Sequence, residues 1–206
     1  MKIERFVLGD FQVNSYLIIN AKEAVLIDVG FSPDAIVEYI EKNKIELKAI
    51  LLTHAHLDHI GGLEKIRDRF NVDVYLHKNE AEWLVNSTYN GSKDFPFFGE
   101  VICKPTNKLL TDNEELIFGD IKVKAIFTPG HTPGGVSYLI NKWLFSGDTL
   151  FNNSIGRTDL WGGNYKQLID SIKNGLFRLS NEVLVYPGHG EKTSIKNEKA
   201  TNPFIN

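Results

Sequence analysis

The chain has 206 residues, 42% apolar and 24% charged, with Lys+Arg 23 against Asp+Glu 26 and a formal net charge of -3. This is ordinary globular composition, with room for one domain (1–206) and a sizeable core. The charge balance excludes the positive field of a nucleic-acid or anionic-membrane binder, and no apolar run reaches the length of a bilayer span. Met1–Asp10 alternates charge and hydrophobe without a signal-peptide core, so a cytoplasmic protein is expected. Its partner is expected to be a small molecule rather than nucleic acid or membrane. Cys103 is the single cysteine; it excludes an internal disulfide and reads as inert packing.

In chain order, Ile3–Leu8 and Val13–Ile19 read as strands joined by the Gly9-Asp10 turn. Ala24–Asp28 is a short apolar strand. Ser32 then reads as the N-cap and Pro33 as the first residue of a helix running to about Lys42. Lys48–Leu52 is a buried-type strand that enters Thr53-His54-Ala55-His56-Leu57-Asp58-His59. A helix over Ile60–Phe70, a strand over Val72–Leu76 and a short helix near Asn79–Val85 follow. Asn86–Gly99, rich in Ser, Asn and Gly and containing Phe95, Phe97 and Phe98, reads as a long surface loop. Strands are expected at Glu115–Phe118, Lys122–Phe127, Gly135–Ile140 and Lys142–Ser146. A helix over Tyr165–Phe177, a strand over Glu182–Tyr186 and a terminal helix near Ser194–Ala200 complete the chain. Two strand-rich halves, each with helices, suggest an α/β chain (α+β in some schemes) built as a four-layer αβ/βα sandwich of two mixed sheets.

Three of six histidines fall between His54 and His59, with Asp58 among them. His54 and His56 are two apart at a strand end, so they point to one side. Asp58 and His59, where the chain turns into a helix, can face a second point. Imidazole nitrogen and carboxylate oxygen suit zinc, iron or manganese. His131, Asp148 and His189 also follow apparent strands, in the Gly-containing turns Thr128-Pro129-Gly130-His131, Ser146-Gly147-Asp148 and Pro187-Gly188-His189-Gly190. A histidine cluster with an interleaved acid has little value as core, whereas lone His77 reads as a hydrogen-bonded structural residue or as support for the site. Asp28 either orients a ligand histidine or is an ordinary turn aspartate.

These motifs resemble the metallo-β-lactamase superfamily, whose signature is His-x-His-x-Asp-His, and within it the glyoxalase II-like (hydroxyacylglutathione hydrolase-like) branch. The resemblance covers nearly the whole chain and includes Gly134, Thr149-Leu150-Phe151, Gly156-Arg157-Thr158-Asp159 and the closing Asn202-Pro203-Phe204. It implies that His54, His56 and His131 bind one metal, that Asp58, His59 and His189 bind a second, and that Asp148 bridges both. β-Lactamases of the commonest class carry cysteine where this chain has Asp148, which argues against antibiotic hydrolysis. Full-length glyoxalase II enzymes carry a helical C-terminal extension; here the chain ends soon after His189, so a smaller thiol pocket is expected.

Two divalent ions sharing a water lower its pKa towards neutrality, and the hydroxide can attack a carbonyl. A thioester suits such a site because its leaving thiol has a pKa of about 8.5 and departs without a strong acid. The expectation is therefore a metal-dependent thioesterase cleaving 2-hydroxyacyl thiol esters such as S-lactoylglutathione. It would use two divalent ions, zinc first and iron or manganese as alternatives. Asp58 and Asp148 are its catalytic carboxylates. Arg157 pairs with a substrate carboxylate or ties its loop to Asp159, and the three phenylalanines wall a pocket or anchor their loop. The rival is a persulfide dioxygenase with one iron held by two histidines and an aspartate.

Overall fold

The computed structural model describes residues 1–106 and 108–205. The chain divides into two compact units: Met1–Leu110 with Ile117–Ile121, and Thr111–Leu116 with Lys122–Asn206.

The first unit contains β1 (Lys2–Leu8), β2 (Val13–Asn20), β3 (Glu23–Ile27), α1 (Asp34–Asn43), β4 (Glu46–Leu51), α2 (Leu57–Ile60), α3 (Leu63–Phe70), β5 (Asp73–His77) and β6 (Lys108–Leu110). The strands form one sheet in the order β1-β2-β3-β4-β5-β6. The first three pair antiparallel and the rest parallel, so the sheet is mixed. Strands β3 and β4 are near-continuous apolar runs, as expected of parallel strands covered on both faces. Ile36 and Ile40 of α1 and Leu63 and Ile66 of α3 share a core with Leu26, Ile50, Val74 and Leu76. The register aligns Leu8 with Val13, Tyr16 with Ile27 and Ile27 with Leu51. The β1–β2 turn and the segments after β3, β4 and β5 therefore leave from one edge of the sheet, the carboxyl end of its parallel strands.

Two expectations need correction here. Ser32 is not a helix cap: it has φ +57°, and α1 starts at Asp34 with Pro33 in the cap position. The Pro33 carbonyl accepts from Ile36 N and Val37 N. The expected helix over Ile60–Phe70 is two helices, broken at Gly61-Gly62. A Cβ on Gly62 would lie 2.2 Å from the Gly30 oxygen, and one on Gly61 2.6 Å from the Phe31 ring. Close backbone packing against the β3–α1 turn thus sets Asp58 and His59 in a separate one-turn helix.

Further along lie β7 (Glu115–Phe118), β8 (Ile121–Phe127), β9 (Val136–Ile140), β10 (Trp143–Gly147), β11 (Leu150–Phe151), β12 (Ser154–Ile155), α4 (Tyr165–Asp170), β13 (Leu184–Pro187), β14 (Thr193–Ser194) and α5 (Ile195–Thr201). The other six-stranded sheet has the order β14-β13-β10-β9-β8-β7 and is also mixed: β10 and β13 are parallel, β9 and β10 antiparallel. Leu144, Leu168, Ile172, Leu176, Val185 and Ile195 form the core of the second unit. Helix α4 is capped by Asn164, which accepts from Gln167 N. It passes into a π-helical turn at Ser171–Gly175 and a 3₁₀ turn at Leu176–Arg178, so the helix expected over Tyr165–Phe177 is not uniform. There the Ser171 hydroxyl donates to the Pro129 carbonyl at 2.7 Å. Among the described residues no helix is long and apolar enough to cross a membrane.

Candidate metal-ligand sets

In the first unit the chain leaves β4 at Leu51 and reaches α2 at Leu57, and four ligand-type side chains are buried on this segment and on α2. His54, His56, Asp58 and His59 have relative exposures of 2%, 6%, 9% and 0%. The His54 ring lies 4.9 Å from that of His56 and 4.0 Å from that of His59, centroid to centroid. His59 Nε2 is 3.7 Å from Asp58 Oδ2.

Asp28 organises this stretch. It follows β3 with φ +54°, a conformation that Asp tolerates better than most residues. Its Oδ1 accepts from Thr53 N at 2.7 Å. Its Oδ2 accepts from Thr53 Oγ1 at 2.7 Å and from His59 Nδ1 at 2.8 Å. A carboxylate only accepts, so His59 carries its proton on Nδ1. The Thr53 hydroxyl proton is committed to Asp28, so its oxygen receives the Nδ1 proton of His54 at 3.0 Å. Both histidines are thereby held in the tautomer whose Nε2 offers a lone pair to a metal.

A second buried carboxylate touches the same stretch, and sequence reasoning missed it. Glu80, 0% exposed, accepts from Ala55 N at 2.7 Å, between His54 and His56. Nearby, the Trp83 ring lies 5.5 Å from His56, and Leu57 N donates to the Asn90 carbonyl at 2.9 Å. A lone glutamate in a short helical turn carries no sequence signal that separates it from a solvated one.

In the second unit, glycines precede His131 and Asp148, as expected. Gly130 has φ +136°, and a Cβ there would lie 2.2 Å from Leu168 N on α4. Gly147 has φ +49°. Asp148 Oδ2 lies 3.7 Å from His131 Nε2 and 3.5 Å from His189 Nε2. These gaps exceed hydrogen-bond lengths. They approach the roughly 3.4 Å that separates two ligand atoms on a tetrahedral ion with bonds of about 2.0–2.1 Å. The donor chemistry within each set fits a divalent metal.

The Gly-Arg-Thr-Asp loop supports His131 through its backbone. His131 Nδ1 donates to the Arg157 carbonyl at 2.7 Å, which fixes Nε2 as the ligand atom. A Cβ on Gly156 would lie 1.8 Å from the Asp148 carbonyl oxygen, so only glycine allows this approach. The Arg157 side chain forms a bidentate pair with Asp159, both contacts 2.7 Å. That pairing pushes the Asp159 carboxyl down to about 2. With side-chain exposures of 60% and 68%, the pair faces solvent.

The remaining candidates behave simply. His77 is buried at the end of β5, and its Nδ1 accepts from Asn79 N at 3.3 Å. Cys103 is buried, and burial pushes its thiol up to about 12. Phe95 and Phe98 pack on Phe11 with centroids 5.5 and 4.9 Å away, and Phe98 also meets Phe31 at 5.6 Å. Phe97 meets Phe98 edge-on with centroids 5.4 Å apart and is 89% exposed, at the solvent side of this cluster.

Comparison with known proteins is decisive about family. The family profile described as "Metallo-beta-lactamase superfamily" matches residues 8–189. The chain belongs to the metallo-β-lactamase superfamily. It is similar to a "Probable metallo-hydrolase YqgX" of Bacillus subtilis, 41% identical over all of this chain and 98% of that protein. It is also similar to "Hydroxyacylglutathione hydrolase GloC" of Haemophilus influenzae, 34% identical over all of this chain and 99% of that one. Among solved structures, one described as the BLEG-1 B3 metallo-beta-lactamase superposes with TM-score 0.95 at 41% identity, covering 99% of each chain. The fold is thus the metallo-β-lactamase fold, and the protein is a metallo-hydrolase of that superfamily.

Proposed function

We propose that the chain is a thioester hydrolase of glyoxalase II type, with residues 1–206 forming one catalytic domain that binds two divalent ions. In this reading His54, His56 and His131 hold one ion, Asp58, His59 and His189 the other, and Asp148 both. The observation that carries it is the position of Asp148 Oδ2, nearly equidistant from His131 and His189. One carboxylate oxygen opposite two imidazoles assigned to different ions is what a bridging ligand requires. Zinc is the first choice of ion, with iron or manganese as substitutes, and the substrate is a small cytoplasmic 2-hydroxyacyl thioester.

When bound, the ions supply a hydroxide near neutral pH and polarise the substrate carbonyl. The protein's own work is orientation. Asp28 and the Arg157 carbonyl hold imidazole tautomers, so the ligand nitrogens need no reorganisation. The leaving thiolate needs no proton at the moment of cleavage, so no dedicated acid is required. The Arg157 guanidinium uses two groups on Asp159 and keeps its other N–H donors for an anionic substrate. Similarity to the Haemophilus enzyme over the full length of both chains supports thioester chemistry.

Similarity to a structure described as a B3 β-lactamase favours a second activity, β-lactam hydrolysis. The argument from Asp148 against it concerns only the class that carries cysteine there. The deciding experiment couples metal analysis to three assays on one preparation: S-lactoylglutathione cleavage, cephalosporin cleavage, and oxygen uptake with glutathione persulfide. We expect two ions per chain and chelator-sensitive, oxygen-independent thiol release. One iron per chain with persulfide-dependent oxygen uptake and intact thioester would overturn the proposal.

A further inference from the structure

Three contacts tie the segment after β5 to the His-x-His-x-Asp-His stretch: Glu80 to Ala55 N, the Trp83 ring to His56, and the Asn90 carbonyl to Leu57 N. Only the first engages the residue between His54 and His56. Alternation along an extended backbone sends those two side chains to one side. Rotation of the Ala55 peptide therefore changes the distance between their ligand atoms. A bond of 2.7 Å to a buried side-chain oxygen resists that rotation. Asp28 does the corresponding work for His59 and, through Thr53, for His54. Among the contacts described above, only that of Glu80 restrains the peptide between the paired histidines in this way.

We infer that Glu80 is a positioning residue whose bond to Ala55 N sets the affinity of the ion assigned to His54 and His56, leaving the other ion largely untouched. This rests on the two-ion reading. The mechanism is reach rather than charge. Glu80→Gln keeps an acceptor oxygen at the same distance and loses the charge. Glu80→Asp keeps the charge and withdraws the oxygen by one methylene.

The test is calorimetric titration of chelator-stripped full-length protein with zinc, with the cobalt(II) absorption spectrum as a second readout. His56→Ala and His189→Ala assign the binding steps. Wild-type stoichiometry tests the two-ion reading by itself: one ion per chain sinks that reading, and the comparison of Glu80 variants then applies to the single ion. Glu80→Asp is expected to weaken the His54/His56 step by about tenfold or more, as for other residues that orient metal ligands. Glu80→Gln is expected to stay within about threefold of wild type. Glu80 is overturned as a positioning residue by three results: equal weakening of both steps in Glu80→Asp, no weakening in either, or a loss in Glu80→Gln matching that in Glu80→Asp. Thermal midpoints measured on stripped protein separate general destabilisation from loss at the metal step.

Discussion

Replacing Asp28 by asparagine tests how far metal affinity depends on ligand tautomer. Asparagine matches aspartate in size and tolerates the positive φ of this position, so the backbone need not move. One oxygen is retained and can still accept from Thr53 N. The amide NH₂ then replaces Oδ2, which now accepts from both Thr53 Oγ1 and His59 Nδ1. Two donors would face a donor. Relief requires His59 to move its proton to Nε2, the atom assigned to the metal, or to rotate away. Residues that orient metal ligands are typically worth about 10–100-fold in affinity, which is about 1.4–2.8 kcal/mol. Loss of a buried hydrogen bond adds roughly 1–3 kcal/mol to the stability cost of the apo protein. Competition of the variant against a chromophoric zinc chelator reads the first quantity, and thermal unfolding of stripped protein reads the second. The larger loss should fall on the ion assigned to His59, a smaller one on that assigned to His54. An Asp28→Asn variant that keeps both ions at wild-type affinity would refute the tautomer argument, whatever its stability.

Asp148→Asn should weaken both ions and remove most activity; elemental analysis finding two retained ions with near-normal turnover would contradict a bridging carboxylate. Arg157→Ala should raise KM for anionic thioesters more than for neutral ones. It should also release the Asp159 carboxyl, whose titration by carboxyl NMR is expected to rise from about 2 towards the usual carboxylate range. Phe97→Ala should raise KM for thioesters with apolar acyl groups by about threefold to tenfold, with metal content unchanged; an unchanged KM series would leave the aromatic cluster as a loop anchor only. Cys103 should resist thiol reagents at pH 8 in the folded protein, since attack needs the thiolate and the thiol is held up at about 12. Denaturant should expose one reactive thiol.

The strands were legible where the pattern is local. β1, β2, β8 and β10 fall within two residues of their sequence-based limits, because alternation or an unbroken apolar run needs no knowledge of neighbours. β6, β11, β12 and β14 were not legible. Each is two or three residues long and exists because a partner strand is alongside, as Leu109 pairs with Leu76 and Thr193 with Val185. The helix starting at Ser32 misled for a related reason. Ser-Pro-Asp has the local chemistry of a cap, but the backbone at Ser32 is left-handed and the turn before it is packed against Gly62. Tertiary contact overrides the cap preference.

Legibility of the ligand residues follows the same division. His54, His56, Asp58 and His59 stand out because metal-binding residue types at close spacing are rarely explained by packing. His131, Asp148 and His189 stand out because glycine-containing turns at strand ends present side chains where a ligand can reach them. The groups that orient these ligands sit 25 to 31 residues away in sequence, as Asp28 does from Thr53 and His59, and Glu80 from Ala55. Glu80 reads locally as an ordinary helix acid and Asp28 as either a turn aspartate or an orienting residue, and the parallel pairing of β3, β4 and β5 brings them to one sheet edge. Arg157 shows the limit most clearly. Its side chain drew the functional reading, while the contact with a ligand histidine is made by its carbonyl oxygen, a group every residue possesses. The feature that motif logic detects there is Gly156, whose missing Cβ lets that carbonyl's loop lie against Asp148.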